Sequence, residues 1–176
     1  MVESAMGELS HLVPDFAQIV RITVRLLAAL AVGTAIGLQR ELTHKTAGLR
    51  THMLVALGTA LFIVGAAESG TSADSLGRVI QGIAAGIGFL GGGTILKLTD
   101  QGEVHGLTTA AGIWMTAAAS ATAALGQIAV AIIGTVFGLV VLILFRSLER
   151  RLGHHARADG EDHHHPPASP TPKDDS

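Results

Sequence analysis

The stretch that decides the fold is GLTTAAGIWMTAAASATAALGQIAVAIIGTVFGLVVLILF, residues 106–145, which holds no charged side chain. A membrane-spanning helix needs roughly 20 mostly apolar residues to cross a hydrocarbon core of about 30 Å. At 1.5 Å per residue, one continuous helix over this stretch would be about 60 Å long, twice that thickness. The stretch therefore predicts two spans, with a reversal of the chain near Gly126.

The composition of the whole 176-residue chain also indicates a membrane protein. Apolar residues make up 48% of the chain and charged residues 15%, and the mean hydropathy is +0.48. A soluble domain usually has about 25% charged residues. This composition, with a net charge of only −2, excludes an ordinary cytosolic enzyme, a disordered chain and a nucleic-acid-binding protein. The chain has no cysteine, which excludes disulfides, thiolate metal sites and cysteine nucleophiles.

Five apolar stretches are long enough to be spans, and the predicted fold is an all-α membrane bundle. They cover residues 19–38, 51–67, 79–98, 106–125 and 128–145; four spans with a re-entrant segment are the alternative. The predicted transmembrane domain is 19–152, preceded by a flanking segment, 1–18. Residues 153–176 are rich in His, Pro and Asp, and we expect a disordered tail. Its histidines at 163–165 could bind a transition metal weakly, but a solvated tail with no specific role is the favoured interpretation.

The distribution of basic residues predicts the orientation in the membrane. The loops after the first and third spans, together with the C-terminus, hold nine of the twelve Lys and Arg residues. Because cytoplasmic loops carry an excess of Lys and Arg, the N-terminus is predicted outside and the C-terminus in the cytoplasm.

The glycine run GIGFLGGG at residues 86–93 contains a literal GxGxxG pattern inside an apolar segment. Nucleotide binding needs a preceding strand and a helix that opens after the pattern, so we reject it here. Close helix packing is favoured, because small residues four apart recur at Gly33/Gly37, Gly82/Gly86, Gly88/Gly92 and Gly134/Gly138. The alternative is a helix broken at Gly91, Gly92 and Gly93, with carbonyls exposed to a cavity.

Polar side chains collect at the predicted cytosolic ends of the first four spans. Arg40, Glu41 and Arg50 are the candidates for a cytosolic interaction surface; the alternative is a clamp that holds the first loop against the bundle. Glycines Gly88 and Gly91 to Gly93 are predicted to set the packing beside it. At the outer end, Arg78 and Gln81 share a helix face and could cap neighbouring helices.

Spans two to five contain no Asp or Glu. A carboxylate proton relay or the usual carboxylate site for Mg²⁺ is therefore disfavoured inside the bundle, although a carbonyl-lined pore stays open. No nucleophile–base pair or metal constellation is present in the sequence. We therefore predict a protein that is not an enzyme and uses no cofactor.

Three ordered motifs resemble the MgtC/SapB family over about residues 20–145. They are GLQRE at 37–41 with AGLRT at 47–51 and LGTALF at 57–62; GIGFLGGGTI at 86–95; and GLTTAA at 106–111 with Ile113 and Trp114. The chain departs from the family pattern in having Gln39 before the Arg-Glu pair, and a short tail instead of an ACT-like domain.

The resemblance implies a bacterial inner-membrane protein with a cytosolic C-terminus, associated with growth at low magnesium and survival in macrophages. It also implies regulation through contact with other membrane proteins such as the F-type ATP synthase. A channel or transporter subunit for Mg²⁺ or another ion is the alternative. The bilayer is a predicted partner, the small-residue faces predict self-association, and no nucleic-acid partner is expected.

Overall fold

The structure is a computed structural model that describes residues 15–97 and 104–158 of the chain, with side chains at 15–95 and 104–145. Within these residues the fold consists of five helices and one short β ladder. The elements are α1 Phe16–Leu42, α2 Leu49–Glu68, α3 Ala73–Gly92, β1 Leu96–Lys97, β2 Val104–His105, α4 Leu107–Ala124 and α5 Ile128–Ala158. The predicted all-α bundle is confirmed.

Three of the described helices are long and apolar enough to cross a bilayer by length and composition. They are α1, α2 and the part of α5 at Ile128–Phe145. Large apolar side chains also lie on the outside of the molecule: Phe62 is 67% exposed, Phe89 88% and Phe137 68%. In water such a surface would aggregate, whereas in a bilayer it faces acyl chains that are equally apolar.

Helix α1 packs against α2 through the glycine pair Gly33/Gly37, so the predicted close approach is confirmed there. A Cβ atom added at Gly33 would lie 2.6 Å from the Cβ of Ala56 and 2.7 Å from the carbonyl oxygen of His52. One added at Gly37 would lie 2.9 Å from the Cβ of His52. No side chain fits at these distances, so the two backbones meet directly.

Helix α4 lies at the centre of the bundle and contacts α1, α2 and α3. Half of its residues are buried, and they are almost all small or carry a hydroxyl group. Helix α3 is the opposite case, since Gly91 is its only buried residue. The small side chains of α4 explain its central position, because small residues let several helices approach one axis closely.

The chain reverses between α4 and α5 as predicted. Gly126 lies between the two helices with a φ of +86°, in the left-handed region that favours glycine. The amide groups of Leu125 and Gly126 donate to the last-turn carbonyl groups of Ala121 and Ala123, at 3.0 and 2.9 Å. This hydrogen-bonded turn ends α4, and three residues separate its last residue from the start of α5.

The third predicted span was wrong in its bounds, because α3 begins and ends six residues earlier than 79–98. The helix ends where three glycines with low helix propensity adjoin Thr94, whose hydroxyl donates to the carbonyl of Gly91 at 2.7 Å. The chain then forms β1, which pairs antiparallel with β2. The two-residue strands bring the chain back to the start of α4.

The described part of the chain divides into two compact units, with the boundary between residues 139 and 140. The first unit contains α1 to α4 and the start of α5. The described part of the second unit is the remainder of α5, which runs to Ala158. The first six residues of the predicted tail, 153–158, are therefore helical; the rest of the predicted tail, 159–176, lies outside the described residues, as do the histidines at 163–165.

Candidate functional site

The charged side chain of Arg40 is buried where three helices meet. Arg40 lies near the end of α1, beside the starts of α2 and α4, and is only 2% exposed. Its Nη2 donates to the hydroxyl of Thr109 on α4 at 3.0 Å. We call this side of the bundle, where α1 ends and α2 and α4 begin, the Arg40 end. Burying a guanidinium group is costly unless it is hydrogen-bonded, so this contact ties α1 to α4.

His52 of α2 makes the second polar contact with α4, and its side chain is completely buried. Its Nδ1 lies 2.7 Å from the hydroxyl oxygen of Thr116. That hydroxyl is also placed to donate to the carbonyl oxygen of Gly112, at 2.9 Å. Among the described residues Nε2 has no hydrogen-bond partner.

Gly112 allows both side chains to reach the same point on α4. A Cβ atom placed there would lie 3.6 Å from Cε1 of His52 and 3.8 Å from Nε of Arg40. These are ordinary van der Waals distances, so the two side chains border a space the size of a methyl group. The missing side chain of Gly112 thus leaves a notch between a cationic group and an imidazole.

Buried polar residues continue along the same face of α4. Thr109, Gly112, Thr116 and Ser120 follow one another at spacings of three or four residues, and all four are buried. We call this row the polar seam. Its last member, Ser120, is completely buried, and within the described part of the chain its hydroxyl oxygen has no hydrogen-bond partner. The seam runs over 12 residues, and its ends are roughly 16 Å apart at a rise of 1.5 Å per residue.

The three residues predicted to form an interaction surface do not lie on one surface. Arg40 is buried, as described above, because its guanidinium group binds α4. The carboxylate of Glu41 is exposed and accepts from the backbone N–H of Leu49 at 2.9 Å, and it lies directly over Gly48. Glu41 therefore caps the start of α2, where a negative charge is favourable. Arg50 is also exposed to the surroundings of the molecule.

The glycine run packs at one position only. A Cβ atom at Gly91 would lie 3.5 Å from Ala110 of α4, while Gly88 and Gly92 face open space and Gly93 meets only carbonyls of its own helix. Helix α3 ends within this run, at Gly92, and the broken-helix alternative stays a prediction. The carbonyls of Phe89, Gly91 and Gly92 accept from the next turn of the chain, at 3.0 to 3.1 Å.

Arg78 and Gln81 are both exposed. Arg78 donates to the hydroxyl of Ser75, one turn earlier in the same helix, at 2.9 Å. The polar contacts between helices at this end come instead from Glu68, which accepts from the amide of Gln18 at 2.6 Å and lies 3.8 Å from the Arg25 guanidinium. Glu68 joins the end of α2 to α1, and the sequence analysis did not select it.

The polar seam was also missed, although the sequence contains a signal for it. Thr109, Thr116 and Ser120 recur on one face of a helix that is otherwise apolar, which indicates a polar contact with another helix. Hydroxyl residues are common in membrane helices, however, and their partners Arg40 and His52 lie more than 60 residues away in the chain. Within the described residues, no group of three or more His, Cys, Asp or Glu side chains could hold a metal ion.

An open groove runs between α2 and α3, with a volume of about 670 Å³. Its lining is apolar and includes Gly58 of α2 and Gly82 and Gly86 of α3. A Cβ atom at any of these three glycines would meet nothing within 4 Å. We call it the α2–α3 groove; its lining also includes Leu54, Val55, Thr59, Phe62, Val79, Ile83, Ile87 and Leu90.

The fold and the buried polar contacts define a helical membrane protein that has a polar seam in its centre. The chain belongs to the MgtC family, whose sequence model matches residues 26–151. It is similar to protein SrpB of Synechococcus elongatus, with 43% identity over 140 residues that cover 73% of this chain and 77% of SrpB. The family expected from the motifs is therefore confirmed.

Two further relatives are longer than this chain. Protein MgtC of Salmonella typhimurium is 41% identical over 129 residues, which cover 73% of this chain but 54% of MgtC. YhiD of Escherichia coli K12, whose name describes it as a candidate magnesium transporter, is 43% identical over 135 residues, or 72% of this chain and 61% of YhiD. The chain thus spans little more than half of either relative. No solved structure matches the chain.

Proposed function

We propose that this MgtC-family protein acts in the bacterial plasma membrane by binding another membrane protein and regulating it. The family resemblance names the F-type ATP synthase as a candidate partner, with growth at low magnesium and intracellular survival as the processes affected. In this proposal the N-terminus lies outside and the C-terminus in the cytoplasm, as the distribution of Lys and Arg predicts.

The observation that carries this proposal is the α2–α3 groove. Two helices that fill the space between them leave no room at glycine positions, as Gly33 and Gly37 illustrate on α1. At Gly58, Gly82 and Gly86 the room is unfilled, and the groove faces outward. A bilayer supplies no hydrophobic force to close such a groove, because acyl chains and side chains are equally apolar.

A transmembrane helix of a partner protein is the occupant that fits this groove. Gly82 and Gly86 are four residues apart, the spacing at which small residues let a second helix approach closely. Phe62 of α2 is 67% exposed and lines the groove, so it is placed to contact that helix. The charges that could orient a partner are outside the groove, at Arg50 and in the first loop.

Transport of Mg²⁺ or another ion is the second candidate function. The polar seam favours it, because polar residues inside a membrane bundle often mark ion pathways. The chemistry of the seam disfavours a divalent cation, since its contacts include the guanidinium group of Arg40. The seam is also followed toward the opposite end of the bundle by an apolar cluster that includes Ala29, Ile63 and Ala123.

Photocrosslinking in native membranes tests the partner proposal. A photoreactive residue replaces Phe62, and adducts are identified with and without Gly86→Leu, which fills the groove. The matched control is Gly88→Leu on the same helix, where a side chain also has open space but lies outside the groove lining. We expect an adduct with a specific membrane protein that Gly86→Leu abolishes and Gly88→Leu retains.

Each of the other results has a defined meaning. Adducts with lipid alone, or adducts that survive Gly86→Leu, would refute helix binding in the groove. Adducts with a second copy of the chain would make the partner the protein itself. Liposomes that contain the purified, folded protein and an Mg²⁺-sensitive dye separate the two functions, because flux above that of empty liposomes would support transport.

A further inference from the structure

A second groove lies between α1 and the first part of α5, with a volume of about 300 Å³. The single hydroxyl group in its lining belongs to Thr135, and it already donates to the carbonyl of Ala131 at 2.7 Å. The lining therefore offers hydrocarbon rather than hydrogen-bonding groups. We call it the α1–α5 groove; its lining includes Ala28, Ala31 and Ala35 of α1 and Ile128, Ala131 and Leu139 of α5.

The α1–α5 groove is about as long as one leaflet of a bilayer is deep. On α5 its lining runs from Ile128 to Leu139, which lies 11 residues further along the helix. That distance is roughly 16 Å at a rise of 1.5 Å per residue. The hydrocarbon core of a bilayer is about 30 Å thick, so one leaflet contributes about half of it. An acyl chain from one leaflet matches this length, whereas a partner helix would cross the whole core.

Two arginines precede the groove on α1. Arg21 lies seven residues before Ala28, which places it two turns away on the same face of the helix. Arg25 lies between them, and its Nη2 would be 3.6 Å from a Cβ atom placed at Gly126, in the turn before α5. Positive charge thus stands at one end of an apolar groove, which is complementary to the phosphate and the acyl chain of a phospholipid.

Arg21 is the better placed of the two arginines to bind a phosphate group. Arg25 lies 3.8 Å from the carboxylate of Glu68, which offsets part of its charge. Arg21 is exposed, and the described residues form no ion pair with it. A guanidinium group binds phosphate oxygens through charge-assisted hydrogen bonds, so Arg21 can add such bonds without losing a described contact.

We propose that the α1–α5 groove binds an anionic phospholipid, with one acyl chain along the groove and the phosphate at Arg21 and Arg25. An anionic headgroup is favoured over a zwitterionic one because Arg21 supplies a charge that Glu68 does not balance. The inference does not depend on partner binding at the α2–α3 groove. It also holds for either orientation of the chain, because both leaflets of a bilayer present phosphate groups above their hydrocarbon.

Native mass spectrometry of the purified protein, released from detergent micelles, tests the proposal. The delipidated protein is titrated with phosphatidylglycerol, phosphatidylethanolamine or diacylglycerol that carry the same acyl chains. Arg21→Gln removes the charge, and Arg78→Gln is its control, an exposed arginine at the same end of the bundle on α3. Ala31→Leu fills the groove, and Ala111→Leu is its control, an exposed alanine of α4 outside the groove lining. Circular dichroism verifies that each variant is folded.

We expect phosphatidylglycerol to bind more tightly than the other two lipids. Arg21→Gln should weaken its binding about fivefold, the effect of one basic residue near a charged lipid surface, while Arg78→Gln should not. Ala31→Leu should weaken its binding as well, while Ala111→Leu should leave it unchanged.

Each contrary result overturns a stated part of the proposal. Equal effects of Arg21→Gln and Arg78→Gln, or diacylglycerol that binds as tightly as phosphatidylglycerol, would overturn the phosphate contact. Equally tight phosphatidylethanolamine would overturn the choice of an anionic lipid. Binding that survives Ala31→Leu would overturn the place of the acyl chain. A dimer that Ala31→Leu disrupts would assign the groove to a second copy of the chain instead of a lipid.

Discussion

Helices α1 and α3 carry the same glycine spacing, and the structure uses the two pairs in opposite ways. On α1, Gly33 and Gly37 lie so close to α2 that an added Cβ atom would come within 3 Å of it. On α3, Gly82 and Gly86 line an open groove, and an added Cβ atom would meet nothing within 4 Å. The α1 pair forms a contact between two helices of the chain, whereas no described residue packs against the α3 pair.

This difference shows that the spacing of glycines permits close packing of a helix but does not determine which other helix packs against it. Helices pack by placing the side-chain ridge of one into the groove of another. Gly33 faces the side chain of Ala56 and the adjacent backbone, which together form such a ridge. In the α2–α3 groove, Gly82 and Gly86 share the lining with Gly58. Small residues therefore occur on both helices that line the groove, and no ridge among the described residues fills the space between them.

The largest expected effect is that of Gly33→Ala. The added methyl group would clash with the backbone of α2, so we expect a loss of about 2–3 kcal/mol in stability, the upper range for overpacking. The measurement is the free energy of unfolding in detergent micelles. Gly65→Ala on α2 is the control, because a Cβ atom there has open space. If Gly33→Ala were as stable as Gly65→Ala, the α1–α2 contact would not be as close as described.

The second effect concerns the polar contacts of the same closely packed region. Thr116→Val keeps the shape of the side chain but removes the hydroxyl that hydrogen-bonds to Nδ1 of His52, so we expect a loss of about 1 kcal/mol in stability. Thr122→Val is the matched control, since the Thr122 hydroxyl donates to Ala118 of its own helix at 2.9 Å. Equal losses in the two variants would mean that the His52 contact contributes nothing measurable.

A smaller effect is expected where α1 joins α2. Glu41→Ala removes the acceptor for the N–H of Leu49, and we expect a loss of roughly 0.5–1 kcal/mol, as for a helix cap. Glu41→Gln keeps an acceptor oxygen without the charge and should lose less. The same unfolding measurement in the two variants separates the hydrogen bond from the charge. A Glu41→Ala protein of unchanged stability would show that the cap is not required.

The smallest effect is expected for Gly86→Ala, which is the direct counterpart of Gly33→Ala. The methyl group enters open space, so stability should change by no more than about 0.5 kcal/mol, as for a surface substitution. Unfolding of the isolated protein is compared with its unfolding in native membranes. A large loss in the isolated protein would show that the groove is closed in the single chain, and the two glycine pairs would then be alike.

The prediction of helices from sequence succeeded where the length of an apolar stretch was sufficient to define the helix. The charge-free stretch at 106–145 predicted two helices and the turn at Gly126, and both are confirmed. The prediction failed at α3, whose bounds are set by a run of glycines and by the pairing of β1 with β2 rather than by hydropathy. It also failed for Arg40, because a basic residue at the end of a span is usually exposed to water.

The site could be predicted only in part, for the same reason. Arg40, Glu41 and the glycine run were selected correctly as unusual residues, but their partners depend on which helix is adjacent. His52 lies in the first turn of α2 and has no feature in the sequence that distinguishes it from an exposed histidine. Its burial follows from the two glycines of α1, which bring α2 close enough for the imidazole to reach Thr116.

By itself the sequence determined that this chain is a helical membrane protein of the MgtC family, because hydropathy, helix length and motif order are properties of the chain in one dimension. Only the tertiary structure decided that Gly33 and Gly37 pack against α2, while Gly82 and Gly86 line an open groove. It also decided that the side chains of Arg40 and His52 both approach Gly112. The physical reason is that each contact depends on the rotation and spacing of helices distant in sequence. In a bilayer those are set by close packing and hydrogen bonds rather than by hydropathy.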